Sequence, residues 1–171
     1  MRDALVGGDR IVMQRSEGER DPAAAGALQL LLFELGSDSY ALPIEGLLEV
    51  ADMGELCCIP SVPPNIAGIV NHRGDALTVV QRSKLLGIGA PSGSGALQIL
   101  VITDRVTAAA RFGLPVDRVL GLVPGIAEMA CGSDPVAERI NVGGRVTSVL
   151  YPRRLVERAR ELIASSARGV E

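Results

Sequence analysis

The stretch GIVNHRGDALTVV, residues 68–80, decides how this chain is read. Two apolar runs, residues 69–70 and 76–80, flank Asn71-His72-Arg73-Gly74-Asp75, where nearly every side chain can hydrogen-bond and two are charged. The cluster is open to four readings: a catalytic centre, a metal site, a well-built turn, or a patch that another protein reads. The rest of the chain has to choose among them.

Composition removes several classes. The 171 residues suit one domain or two small subdomains sharing a core, and 47% of them are hydrophobic. Aromatics are 2%, namely Phe33, Tyr40, Phe112 and Tyr151, so the core is built from Val, Ile, Leu and Ala. Base stacking by aromatic side chains has almost no material here. A net charge of −3 argues against nucleic acid, whose binding depends on neutralising phosphates. Three cysteines (Cys57, Cys58, Cys131) make no disulfide framework, and with one His and no CxxC they offer no zinc spacing. A reducing, cytoplasmic setting is expected. The longest nearly apolar run, residues 23–33, is 11 long, whereas a helical membrane span needs about 20.

Residues 1–27 read as a flexible tail, with nine charges and four Gly. The domain is expected over 28–164, followed by a short tail, 165–171. LQLLLFELG (28–36), the turn Gly36-Ser37-Asp38-Ser39, and YALPI form a hairpin. GLLEVAD (46–52) is a short strand or a helical turn. CIPSVPPNIAG (58–68) contains Pro60, Pro63 and Pro64, which excludes helix interior and central strand and predicts a rigid connector. A short helical piece at 83–87 and a Gly-rich loop at 87–95 precede strands at 97–104, 110–117 and 118–124. Residues 125–136 are looser. A last hairpin, 139–151, turns on Gly143-Gly144, both positions requiring φ > 0. Pro152 then opens a helix whose apolar stripe is Leu155, Val156, Ala159, Leu162 and Ile163.

The candidate chemistry is thin. GIGAPSGSG follows a helical piece and precedes a strand, with no Lys or Arg over 88–103, the reverse of a phosphate loop. A Cys–His nucleophile would need one of the cysteines beside His72, and the adjacent Arg73 disfavours the imidazolium such a thiolate requires. The acidic residues of the strand region form no DxD or ExxE arrangement for a metal or a glycoside. No cofactor, metal or catalytic residue is assigned; a small Cys/His hydrolase is the remote alternative. Arg73 on a turn suits either an internal salt bridge, with Asp75 or another turn carboxylate, or an interface, and composition leaves these open.

Motif order adds a resemblance. LLFELGSDSYALPIEGLLEV, IPSVPPNIAGIVNHRGDALTVV, the helical KLLG, FGLPVDRVLGLV and VTSVLYPRRLV together resemble the CheW-like adaptor family over residues 28–164. That resemblance implies a mostly β fold: two interlocked five-stranded SH3-like barrels, short helical connectors and the C-terminal amphipathic helix. It implies no catalysis and no cofactor. The implied partners are the regulatory domain of a CheA-type histidine kinase and the cytoplasmic hairpin tip of a methyl-accepting chemoreceptor. The implied location is the cytoplasm, at membrane receptor arrays without membrane insertion. Carried over by motif, Leu47, Glu49, Gly68, Arg73 and Gly113 fall at partner-contact positions. At the two glycines, a missing Cβ would let a partner helix approach. Asp117 is expected to be structural, capping the turn that follows. Thr78, Gln81, Arg82 and His72 depart from the family pattern, which points toward a divergent pathway such as pilus motility or gene regulation.

Overall fold

The computed structural model describes residues 28–58, 60, 63–89, 98–103, 111–125 and 134–167. The expected tail over 1–27, most of the Gly-rich loop, Cys131 and residues 168–171 lie outside these. In chain order come β1 (Leu28–Leu35), β2 (Asp38–Pro43), a 3-10 turn (Ile44–Gly46), β3 (Leu47–Asp52), β4 (Ile66–His72), β5 (Asp75–Val80) and α1 (Arg82–Leu86). They are followed by β6 (Gln98–Thr103), β7 (Arg111–Val116), β8 (Arg118–Gly125), β9 (Val136–Val142), β10 (Arg145–Leu150) and α2 (Pro152–Ala167).

Most expected elements are present, with shifted edges. The first hairpin turns on two residues rather than four: Leu35 pairs with Asp38, and Gly36 takes φ 63°. A glycine with φ > 0 at the first central position is what a tight primed turn needs, so Asp38 and Ser39 join the strand. The segment at 46–52 satisfies both its readings, because a 3-10 turn runs directly into β3. The proline connector ends in a turn, with the Ile66 N–H donating to Pro63 O at 3.0 Å. Helix α2 starts at Pro152, as expected, and continues to Ala167.

The strands form two five-stranded sheets, ordered β8-β1-β2-β10-β9 and β3-β6-β7-β5-β4. The second is made of consecutive strands inserted between β2 and β8 of the first, which is how the two subdomains interlock. Both edges of each sheet reach one interior cluster, so each sheet rolls up. Leu30, Leu32 and Ala41 of the first sheet collect Val123 from β8 and Ile140 and Val142 from β9. Val70, Leu77, Val79, Ile99 and Val101 of the second collect Ala51 from β3 and Ala67 from β4. A third and larger core lies between the barrels and includes Phe33, Leu42, Leu100, Ile102, Leu114 and Leu150.

These three cores explain the sequence pattern. In β1, Leu30 and Leu32 face the barrel interior while Leu31, Phe33 and Leu35 face the other barrel. A strand buried on both faces reads as an apolar run instead of an alternation. Helix α2 closes the central core with Leu155, Val156, Ala159 and Leu162, as its stripe predicts. It lies against α1 and strands β4, β5 and β6.

Asp117 ties the pieces together at the β7–β8 junction. Its Oδ2 accepts the Gly36 N–H, and its Oδ1 accepts from Arg82 Nη1 at 2.8 Å, so it joins the first hairpin of one sheet to the helix that connects β5 and β6 of the other. Burial alone would raise its pKa, but the Gly36 N–H and the Arg82 guanidinium bring it below the ordinary value. The expected structural role of Asp117 is therefore met, although the turn it caps is the distant one at Gly36. Arg82, a departure from the family pattern, has its charge matched inside the fold.

Candidate protein-docking site

The β4–β5 hairpin is built by local rules. His72 pairs with Asp75, leaving Arg73 (φ 54°) and Gly74 (φ 91°) as the two central residues of a primed turn. The Asn71 side chain fixes it, Oδ1 accepting the Gly74 N–H at 2.9 Å. The β9–β10 hairpin repeats the device: Asn141 Oδ1 accepts the Gly144 N–H at 2.9 Å, and Gly143 and Gly144 have φ of 58° and 83°. At the first central position one turn has glycine and the other has arginine. Arg73 is the one non-glycine residue with positive φ among those described. For an L-residue that conformation costs roughly 1–2 kcal/mol. Nothing in the turn itself calls for an arginine.

The Arg73 side chain is 74% exposed, and its Nη2 donates to Glu49 Oε1 at 2.9 Å. Neither Asp75 nor another turn carboxylate is the partner, as the internal-pair reading expects; the carboxylate comes from β3. Strands β3 and β4 are the two edges of the second sheet, so Glu49 and Arg73 meet across the barrel's seam. His72 joins them from the same side, Nε2 lying 3.3 Å from Glu49 Oε2 with the ring only 13% exposed. The approach is not aligned as a hydrogen bond, and Nε2 has no hydrogen-bond partner. The Arg73 hydrogen bond, working against some desolvation, lowers the Glu49 pKa, so the carboxylate is ionised at neutral pH.

Beyond Asp52 the chain closes the same seam with its backbone. The Cys57 N–H donates to Ile69 O at 2.8 Å, and the Ile69 N–H donates to Cys57 O at 3.1 Å. This crossing is why Gly68 is required. A Cβ there would lie 2.9 Å from Cys57 O and from the Leu56 side chain. At Gly113, where β7 meets β5, a Cβ would lie 2.3 Å from Ile99 Cδ1. Both glycines make room for atoms of this chain itself.

Leu47 packs at the margin of the central core, but its neighbour Leu48 does not. Pairing with β6 slips between Leu47 and Glu49, so Leu48 is the extra residue of a β-bulge and is 48% exposed. Leu48, Leu120, Leu122 and Val146 are the large apolar side chains left exposed among the described residues. Sequence reading missed all four, because which strand face is left uncovered is set by pairing partners far along the chain. The assembled feature is thus Glu49, His72, Arg73 and the protruding Leu48 on one seam, with Gly68 beneath it and Gly113 packed elsewhere.

Arg73 uses one donor on Glu49 and keeps the rest of its fork toward solvent. His72 faces Glu49, and among the described residues no three His, Cys, Asp or Glu come together to hold a metal ion.

Comparison with known proteins agrees with the fold. Residues 29–124 match the family model described as a CheW-like domain. The chain is 30% identical over 116 residues to Protein FrzA of Myxococcus xanthus, covering 66% of this chain and 71% of that one. It is 25% identical over 134 residues to Chemotaxis protein CheW of Helicobacter pylori, with 78% of each covered. The crystal structure of the scaffolding protein TtCheW from Thermoanaerobacter tengcongensis superposes with a TM-score of 0.60 at 23% identity, covering 73% of this chain and 89% of that chain.

Proposed function

The chain belongs to the CheW-like domain family, and from that membership we propose that it is a non-enzymatic adaptor coupling chemoreceptors to a CheA-type histidine kinase. The receptor's cytoplasmic hairpin tip docks on the seam that carries Arg73, Glu49 and Leu48. The kinase's regulatory domain docks on the apolar ends of the barrels. The protein works in the cytoplasm and is held at receptor arrays by these contacts; no described helix is long and apolar enough to cross a membrane.

One observation carries this reading. At a turn position where glycine serves equally well, as Gly143 does, the chain keeps an arginine in an unfavourable backbone conformation with its side chain in solvent. A residue retained against local preference and pointing outward is accounted for by what it touches in a complex. Leu48, lifted out of the pairing by the bulge in β3, offers exposed apolar surface on the same edge strand as Glu49.

The test is Arg73→Ala or Arg73→Gly in the full chain, with receptor and kinase binding measured on folded protein. A loss of about 1–3 kcal/mol in recruitment with thermal stability retained is expected. An unfolded variant would show that Arg73 is a structural partner of Glu49 instead. Pull-downs against chemotaxis and pilus-motility kinases identify the pathway, since a different kinase keeps the adaptor role and changes the circuit it serves.

A further inference from the structure

Nε2 of His72 is the one buried side-chain nitrogen or oxygen without a hydrogen-bond partner among the described residues. It lies 3.3 Å from Glu49 Oε2, in a ring that is 13% exposed. A buried nitrogen left unpaired is costly. A neutral imidazole can carry its proton on Nδ1 and leave Nε2 bare, whereas an imidazolium has an N–H at both positions. We propose that His72 makes docking on this seam proton-linked: its imidazolium takes over Glu49 and releases the Arg73 guanidinium to a carboxylate of the partner. On the adaptor reading, on which this proposal rests, that partner is the receptor's cytoplasmic hairpin tip.

The charges around the ring set the sign. Glu49 approaches from β3, and Asp75 is the register partner of His72 on β5. Arg73 follows in the chain, and the segment bridged to β4 at Cys57 carries Glu55. Helix α2 meets β4 at its other end, where Asn65 Nδ2 donates to Ser165 Oγ at 3.3 Å. Asp75 and Glu55 are exposed, and Glu49 is the carboxylate in contact with the ring.

With the imidazole neutral, Glu49 has one cation, Arg73, on Oε1. The Arg73 hydrogen bond holds the Glu49 carboxyl below its ordinary range. It therefore stays an anion over the window in which an imidazole changes charge, about pH 5–8. Once protonated, the ring turns a donor and a positive charge toward Oε2. It is the better shielded of the two cations, 13% against 74% exposed, so salt screens its attraction less. The same charge repels the guanidinium on the other oxygen. One carboxylate then faces two like charges, and the exposed one is the one that leaves. The seam also gains a positive charge, which favours an acidic partner.

The test compares the full wild-type chain with His72→Gln, whose side chain is polar and cannot become charged. In the free wild-type chain, the NMR signals of the Arg73 guanidinium should move with the same midpoint as the His72 ring. In His72→Gln they should stay still over that range. Binding of a soluble receptor hairpin-tip fragment at constant salt should tighten about two- to fivefold between about pH 8 and about pH 5.5, beyond any change His72→Gln shows. The variant cancels the fragment's own titrating groups. Equal pH dependence in the two proteins would overturn the proposal and leave the adaptor reading standing. Arg73 signals that ignore the ring's titration would also overturn it. No fragment binding by the wild type at any pH would overturn the adaptor reading and the docking half of the proposal, while coupled NMR signals would still support the exchange at Glu49.

Discussion

Arg73 and Gly143 hold the same place in twin turns, and only the arginine is strained there. Arg73→Gly relieves a left-handed strain of roughly 1–2 kcal/mol. It also loosens the unfolded chain by about 0.4–1 kcal/mol and gives up an exposed ion pair of little worth. These effects nearly cancel, so the melting temperature should change little while docking is lost. Gly113 behaves in the opposite way. Gly113→Ala pushes a methyl into Ile99, and the expected cost is about 1–3 kcal/mol of stability, read by denaturant unfolding. Any docking defect in that variant has to be corrected for its folded fraction. In the sequence, Arg73 was legible as an exposed turn residue, but its partner Glu49 was not, because 24 residues separate them. The glycine positions were legible too; what fills the space beside them depends on tertiary packing.

Elements were read best where a local rule fixes them. The Gly143-Gly144 turn, the Pro152 helix start and the α2 stripe each rest on residues within one turn of one another. The bulge at Leu48 was invisible, since it exists only in register with β6. So was the parallel pairing of β10 with β2, which joins Thr147 to Ser39 across the inserted sheet. Helix α2 seals the central core at the level of packing. Leu155 is fully buried there, and Leu155→Ala should cost about 2–5 kcal/mol, seen as a lower and broader thermal transition. The proposed docking seam, on edge strands β3 and β4, should keep its affinity in whatever fraction remains folded.

At the scale of the whole molecule, charged clamps hold segments that are distant in sequence. Glu34 accepts from Arg145 at 2.7 Å and from Arg118 at 2.9 Å, linking β1, β10 and β8. The Arg145 and Arg118 hydrogen bonds lower the Glu34 pKa, and Glu49 and Asp117 are lowered as well. A carboxylate with a depressed folded pKa stabilises the fold above its unfolded value of about 4, and that contribution is lost as pH falls through the folded pKa. The melting temperature should therefore be flat from neutral pH to about pH 5 and fall below about pH 4. Asp117→Asn should remove part of that acid dependence and cost about 1–3 kcal/mol at neutral pH, because Arg82 loses its partner.

The adaptor role itself is tested most directly by titrating a CheA-type kinase and receptor hairpin tips with the purified chain and measuring how much kinase sediments with receptor. The wild-type chain should bring kinase and receptor together, and Arg73→Gly, melting at the same temperature, should do so about tenfold less effectively or worse. Equal recruitment by the two proteins, or none by the wild type, would contradict the account.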